Sequence, residues 1–255
     1  DKESYVIFKN ILVDYIAEKT NISYNNSKNA KNSNKNKMIE ILNEKIPEKN
    51  LNDFGNLLKL NKNENVNKVF FIERRNLNKI NFNVHKENLE KYNEILQNIS
   101  KEILDKVKGK IINKEFFNVL NNSNFTIILD EINENSTKDS FAYINNDDSI
   151  LVLFNCNDHI EIIMNVQKYE NVYEEYADFE KILEILNTYV GFDDYFGYLT
   201  TNPLNSGSSF EIRINMNNKE KKFYQEIKPL IREFSLNRSS NFINGTNISS
   251  CSHIR

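Results

Sequence analysis

The sequence is marked first by what is scarce. In 255 residues there is no tryptophan, and only three prolines, six glycines, two cysteines and three histidines. Two cysteines, Cys156 and Cys251, are too few for a disulfide framework and point to a reducing compartment. The histidines show no second ligand at helical spacing, so Asp158-His159 reads as a closed turn rather than half of a metal site. Neither a metal nor a cofactor is expected. No apolar run approaches the length of a membrane span, no signal peptide is visible, and a cytoplasmic location is expected. Basic residues are not in excess. Lys and Arg number 33 against 36 Asp and Glu, a formal net charge of -3. That excludes a uniformly basic nucleic-acid coat and leaves room for local basic segments.

Asn and Lys are plentiful and crowd the polar positions, as drift in an AT-rich genome produces. This bias bears on the source more than on the fold. Triplets such as Asn244-Gly245-Thr246 are read as chance in so Asn-rich a chain. The length is ample for a buried core.

Hydrophobic spacing gives a coarse map. Tyr5–Phe8 reads as a short strand leading into a helix over Ile11–Ala17. Asn25–Lys37 reads as a loop, and helical spacing resumes at Met38. Phe54–Leu60 and Val69–Ile72 read as strands. Glu87–Val107 is a strong amphipathic helix, with a short one at Glu115–Leu120. Phe125–Leu129 is β-type. Ile150–Phe154 and Ile160–Met164 form a strand pair. Val172–Val190 is a helix with Tyr173, Tyr176, Phe179, Ile182, Leu183 and Leu186 on its apolar face. Phe210, Ile212 and Ile214 alternate as in a half-buried strand, and Lys219–Phe234 is helical. Ser239–Arg255 is polar and reads as loop, a candidate flexible arm from residue 237. Paired strands broken by helices predict an α+β fold with a mostly antiparallel sheet flanked by helices.

The most informative stretch is Gly197-Tyr198-Leu199-Thr200-Thr201-Asn202-Pro203-Leu204-Asn205-Ser206-Gly207-Ser208. It resembles the phosphagen (guanidino) kinase signature G-[YF]-L-T-x-C-P-T-N-x-G-T, which bacterial protein-arginine kinases share. Upstream, Asn155-Cys156-Asn157-Asp158-His159-Ile160-Glu161-Ile162 resembles N-E-E-D-H-[LI]-R-I. Tyr5–Ile16 lines up with the family's first strand, the one carrying S-S-R-[VI]-R. The resemblance implies the catalytic-domain fold over residues 1–255 as one domain, with an insertion at 83–138.

Phosphoryl transfer in such a site needs cations that hold ATP and spread the developing charge. By the resemblance, the first-strand arginines fall at Asn10 and Leu12. The arginine after D-H-[LI] falls at Glu161, and that of G-T-x-[ML]-R at Glu211. The arginine of the late R-G loop falls near Ser239. The substrate carboxylate falls at Asn157 and the reactive cysteine at Asn202. Every one of these positions lacks the family's charge or thiol, and two are reversed in sign. At ~4 Å and an effective dielectric of ~20, each carboxylate–phosphate repulsion is about 4 kcal/mol before screening. The expectation is a catalytically inactive domain with no small-molecule substrate. Ser206-Gly207-Ser208-Ser209 has no adjacent Lys or Arg of P-loop type and reads as a plain turn. The alternatives are a divergent kinase with shifted cations at Arg74, Arg75 or Arg213, and a regulatory subunit of an active kinase. Arg213 shares a strand face with Glu211.

Three basic tracts are candidates for RNA contact: Lys28, Lys31, Lys35 and Lys37; Arg74, Arg75 and Lys79; and Lys106, Lys108, Lys110 and Lys114. Separately, the combination of degenerate kinase motifs with the Asn/Lys bias resembles that of microsporidian ribosome dormancy factors. That resemblance implies docking on rRNA and ribosomal proteins.

Overall fold

The computed structural model describes residues 2–20, 48–60, 66–78, 80, 82, 89–113, 116–193, 196–207, 209–216, 237–242 and 245–251. Helices α1 (Lys2–Ile7), α2 (Lys9–Thr20) and α3 (Glu48–Leu60) precede strand β1 (Val66–Arg75). Then come α4 (Leu89–Lys106), β2 (Gly109–Ile112), α5 (Phe116–Leu120), a 3-10 turn (Thr126–Ile128) and α6 (Leu129–Asn135). Strands β3 (Phe141–Asn145), β4 (Ile150–Phe154) and β5 (Ile160–Asn165) lead to α7 (Val172–Leu186). The short pair β6 (Phe192–Asp193) and β7 (Gly197–Tyr198), a 3-10 turn (Pro203–Asn205), β8 (Phe210–Met216), β9 (Asn237–Phe242) and β10 (Gly245–Cys251) follow. The main sheet has eight strands in the order β2-β3-β4-β5-β1-β8-β10-β9, every neighbouring pair antiparallel. The expected α+β architecture is what forms.

Successive residues of a strand face opposite sides of the sheet, and here both sides are covered. Val69 and Phe71 of β1 join a core with Tyr92, Leu96, Ile99 and Ile103 of α4 and Val172, Tyr176, Phe179, Ile182 and Leu186 of α7. Phe70 and Ile72 point the other way, into a second core with Leu120, Phe125, Ile128 and Ile132. Burial on both faces explains why β1 and β4 read as continuous apolar runs. Each of the four α4 side chains contributes roughly 1.5–3 kcal/mol by burial. Segment 83–138, expected as an insertion, supplies α4, edge strand β2 and the elements covering the second face. Among the described residues, no helix is long and apolar enough to cross a membrane.

Five local expectations are corrected. Tyr5–Phe8 is not a strand: Tyr5 to Ile7 lie in α1. Phe54–Leu60 lies in helix α3, which buries Leu51 and Phe54 three residues apart. Phe125–Leu129 spans the 3-10 turn and the start of α6. Short apolar runs do not separate strands from buried helical turns, and here tertiary packing decides. The polar tail from 237 pairs as β9 and β10, because a backbone ladder needs no apolar side chains. On α7, Tyr173 is exposed and Val172 takes the core position; Asn171 caps the helix by accepting from the Glu174 N–H. The readings of Asn25–Lys37, of the helix from Met38 and of the helix Lys219–Phe234 fall outside the described residues.

Candidate functional site

The signature stretch closes on itself. Tyr198 N–H donates to Gly207 O at 2.8 Å, and Gly207 N–H returns to Tyr198 O at 3.2 Å. Gly197 and Gly207 take φ of 74° and 105°, the left-handed region where a Cβ is strained. Between them, Asn202 caps the Pro203–Asn205 turn by accepting from Leu204 N–H at 3.1 Å, while Ser206 Oγ donates to Pro203 O at 2.7 Å. Asn202, standing where the resemblance puts a reactive cysteine, is thus a turn residue. Cys156 offers no substitute thiol, since burial pushes its pKa up to about 12.

Asn76, at the end of β1, pins this loop to the Asp158-His159 turn. All three residues are fully buried. The Asn76 side-chain amide donates to Asp158 Oδ1 at 2.6 Å and to Leu199 O at 3.3 Å, and its carbonyl accepts from His159 N–H at 2.8 Å. Asp158 Oδ1 also accepts from Thr201 N–H at 2.6 Å, and His159 Nδ1 accepts from Leu77 N–H at 2.9 Å. The closed-turn reading of Asp158-His159 therefore describes the geometry. Nothing in the sequence marked Asn76 as its centre.

The two reversed positions hold the charge centre of the sheet. Glu161 on β5 lies directly opposite Arg74 on β1, and Glu211 on β8 is paired with Ile72 two residues along the same strand. Arg74 consequently sits between two carboxylates. Its Nη1 donates to Glu211 Oε2 at 2.8 Å, and its Nη2 is 3.0 Å from Glu161 Oε1. Arg213 continues the chain, with Nε donating to Glu211 Oε1 at 3.1 Å and Nη1 to Glu131 Oε2 of α6 at 2.5 Å. Burial pushes Glu161 up to about 7; Arg74 opposes this, while Glu131 and Asp158 add to it. Burial acts on Glu211 in the same sense, but Arg74 and Arg213 outweigh it and hold the carboxyl at about 2. Both carboxyls feel Arg74 and Arg213; Glu211 also accepts hydrogen bonds from the two, whereas Glu161 meets the like charges of Glu131 and Asp158.

Arg74, Arg75 and Arg213 are offered by the sequence as shifted catalytic cations, and the first two also as RNA contacts, a surface role that their burial corrects. All three are buried. Arg75 donates to Glu73 at 2.5 Å and to Ser209 Oγ at 3.0 Å, and its guanidinium lies 3.7 Å over the Tyr198 ring. All three guanidinium groups are engaged by side chains of the protein interior. Asn10 and Leu12 are corrected too. They lie on α2, so they are not first-strand positions. The first strand among the described residues is β1, where Arg74 and Arg75 are adjacent rather than spaced R-x-R. Lys106, Lys108 and Lys110 are exposed where α4 meets edge strand β2. Lys28, Lys31, Lys35, Lys37, Lys79 and Lys114 lie outside the described residues.

A cleft of about 620 Å³ runs beside the signature loop, between Thr201, Pro203 and Asn157 on one side and α1–α2 on the other. Tyr5 anchors that helix pair. Its hydroxyl donates to Thr200 O at 2.8 Å, and its ring meets Phe196 edge-on at 5.0 Å. Among the described residues lining the cleft there is no Lys or Arg.

Residues 35–247 match the family ATP:guanido phosphotransferase, C-terminal catalytic domain. The fold is similar to the duplicated taurocyamine kinase from Schistosoma mansoni with bound transition state analog components, at TM-score 0.65 and 16% identity over 98% of this chain and 36% of that one. Its substrate-free form gives 0.60, with the same identity and coverage. A lombricine kinase gives 0.62 at 14% identity over 100% of this chain and 73% of that one. The chain thus spans about a third of the duplicated kinase. No curated protein matches it by sequence. The sequence resemblance, expected to start near Ser4, is matched from residue 35, which leaves α1 and α2 outside it. With 213 of its 255 residues inside that match, the chain belongs to the ATP:guanido phosphotransferase family through the family's C-terminal catalytic domain.

Proposed function

We propose that this domain keeps the guanidino-kinase scaffold and acts by binding, without transferring phosphate. The observation that carries the reading is Arg74 held between Glu161 and Glu211. Positions that the resemblance assigns to phosphate-binding arginines here carry carboxylates, and the nearby cations are spent on them. Arg213, the best candidate for a shifted catalytic cation, is bound to Glu211 and Glu131, which weighs against a divergent kinase. Loss of a single transition-state arginine costs about 10³–10⁵ in rate, so two sign reversals leave no route by the family's mode. Calorimetric titration with Mg·ATP tests this, with no binding expected at millimolar nucleotide.

The partner we propose is the ribosome, in the cytoplasm, with the domain acting as a dormancy factor that blocks functional sites. Support comes from the exposed Lys106, Lys108 and Lys110 and from the Asn/Lys-heavy composition. Buried Arg74 and Arg75 no longer contribute to it. In gradient sedimentation of a native lysate, the chain should run with ribosomes at low salt and leave them as salt rises. A chain that stays at the top of the gradient at low salt refutes the ribosome reading.

A further inference from the structure

From the cleft and the helices beside it, we infer a docking site for an uncharged peptide segment carrying large aliphatic or aromatic side chains. Helices α1 and α2 lie outside the family match, yet they form one wall of the cleft. Their inner side is held by Tyr5, with Leu12 and Val13 packed against Phe82, Phe196 and Leu199. Their outer side is apolar and bare. Ile7 is 72% exposed, Ile11 67%, Val6 62% and Phe8 50%. Five of the six large hydrophobic side chains that stand exposed among the described residues are on this helix pair. An apolar patch gathered in one place and rimmed by polar groups marks an interaction surface, where scattered single residues do not. Phe8 and Ile11 also line the cleft, so patch and cleft are one continuous surface.

The chemistry of the lining selects the occupant. Facing the apolar wall are Asn135 and Asn157, whose side-chain amides make no hydrogen bond among the described residues. Each amide offers both donor and acceptor, the complement of a peptide backbone. Glu134 stands at the lining and no Lys or Arg does, among the described residues. The exposed charges described on the helix pair, Lys2, Glu3, Lys9 and Asp14, are balanced in sign. Among the described lining residues, neither a nucleic acid nor a phosphorylated ligand finds a counter-charge, whereas an apolar side chain flanked by backbone amides finds both its partners. The inference rests on the non-catalytic reading only in that the cleft is not shared with a nucleotide.

The test is selection of a random peptide library displayed on phage against the whole chain, followed by anisotropy titration of the winning peptide. Ile11→Glu is the variant to compare, since an exposed side chain can be changed without loss of fold, which the melting curve checks. The expected result is a consensus of large apolar residues without charge, with affinity falling at least tenfold in Ile11→Glu and in Asn157→Ala. A consensus of Arg, Lys, Asp or Glu, no enrichment at all, or equal affinity in Ile11→Glu overturns it. So does self-association of the wild-type chain that Ile11→Glu abolishes in sedimentation equilibrium, because the face then belongs to a second copy. Saturable Mg·ATP binding that leaves the peptide affinity unchanged would remove the non-catalytic reading alone, whereas Mg·ATP that displaces the peptide would overturn both, so the two failures are distinct.

Discussion

Arg74→Met should destabilise the protein by about 3–5 kcal/mol near pH 8, the usual cost of removing one partner from a buried ion pair. The loss should shrink as the pH falls. Arg74 is the cation bonded to Glu161 and one of two bonded to Glu211. Without it Glu161 is a buried carboxylate among Glu131 and Asp158, the like charges that already help burial raise it to about 7. A carboxyl whose folded pKa lies above its unfolded 4.5 holds a proton that the unfolded chain has released. Its folded state therefore loses stability as pH climbs from about 4.5 towards 7, and removing Arg74 extends that window upward. Below the window Glu161 is neutral in both states and the variant is spared that share of the cost. Glu211 titrates in the opposite sense. Held at about 2, it contributes stability above pH 4.5 that is lost as pH falls through 2, so the Glu211 share of the loss persists into acid. Adding Glu161→Leu to Arg74→Met should restore most of the stability at pH 8, since Glu211 keeps Arg213 and an apolar replacement of a buried pair is often neutral. Chemical denaturation of the four proteins of this cycle at two pH values is the measurement. An equal loss at both, with no recovery in the double variant, contradicts the network.

Asn76→Ala should cost a further large amount, about 3–5 kcal/mol, because it strands several buried groups at once, each worth ~1–3 kcal/mol. His159 N–H and Leu199 O lose their side-chain partner outright, and Asp158 keeps only Thr201 N–H on the oxygen that Asn76 shared. The effect should not stay local. Asn76 joins β1 to both the Asp158-His159 turn and the signature loop, so the loop loses its tie to the sheet. Amide exchange at Leu199 and Thr201 should accelerate in the variant while the amides of β4 hold. Unchanged exchange at Thr201, with stability intact, would show that the loop is fixed by its own Tyr198–Gly207 bridge and not by Asn76.

The regions that sequence reading placed well are those with long periodic patterns. Tyr92, Leu96, Ile99 and Ile103 recur on one helical face, as do Tyr176, Phe179, Ile182 and Leu186, and both helices form where expected. The apolar runs of β1, β4 and β5 are long enough to read as buried strands. Shorter runs such as Tyr5–Phe8 fit either element, and the Tyr5 contacts with Phe196 and Thr200 that decide the matter come from nearly two hundred residues away. The tail strands were illegible for a different reason. Asn, Ser and Thr carry no hydrophobic alternation, and a ladder such as that with β8 is built from backbone groups.

The site divides the same way. Glu161, Glu211, Asn157 and Asn202 stand out once the signature is aligned, because a missing charge is visible in one dimension. Arg213 on the face of Glu211 follows from strand period two. The place of Arg74 does not, since it depends on β1 lying between β5 and β8 and on the register that sets Arg74 opposite Glu161. A pair of adjacent arginines in a Lys-rich chain reads as surface until that register is known.

Isothermal titration of the chain with Mg·ATP, from micromolar to several millimolar nucleotide, decides whether the domain still holds its family's nucleotide. Arg74 and Arg213 are committed to Glu161, Glu211 and Glu131, so no saturable heat is expected at any point. A Mg-dependent isotherm with a micromolar dissociation constant would contradict the account and return the domain to the working kinases of its family.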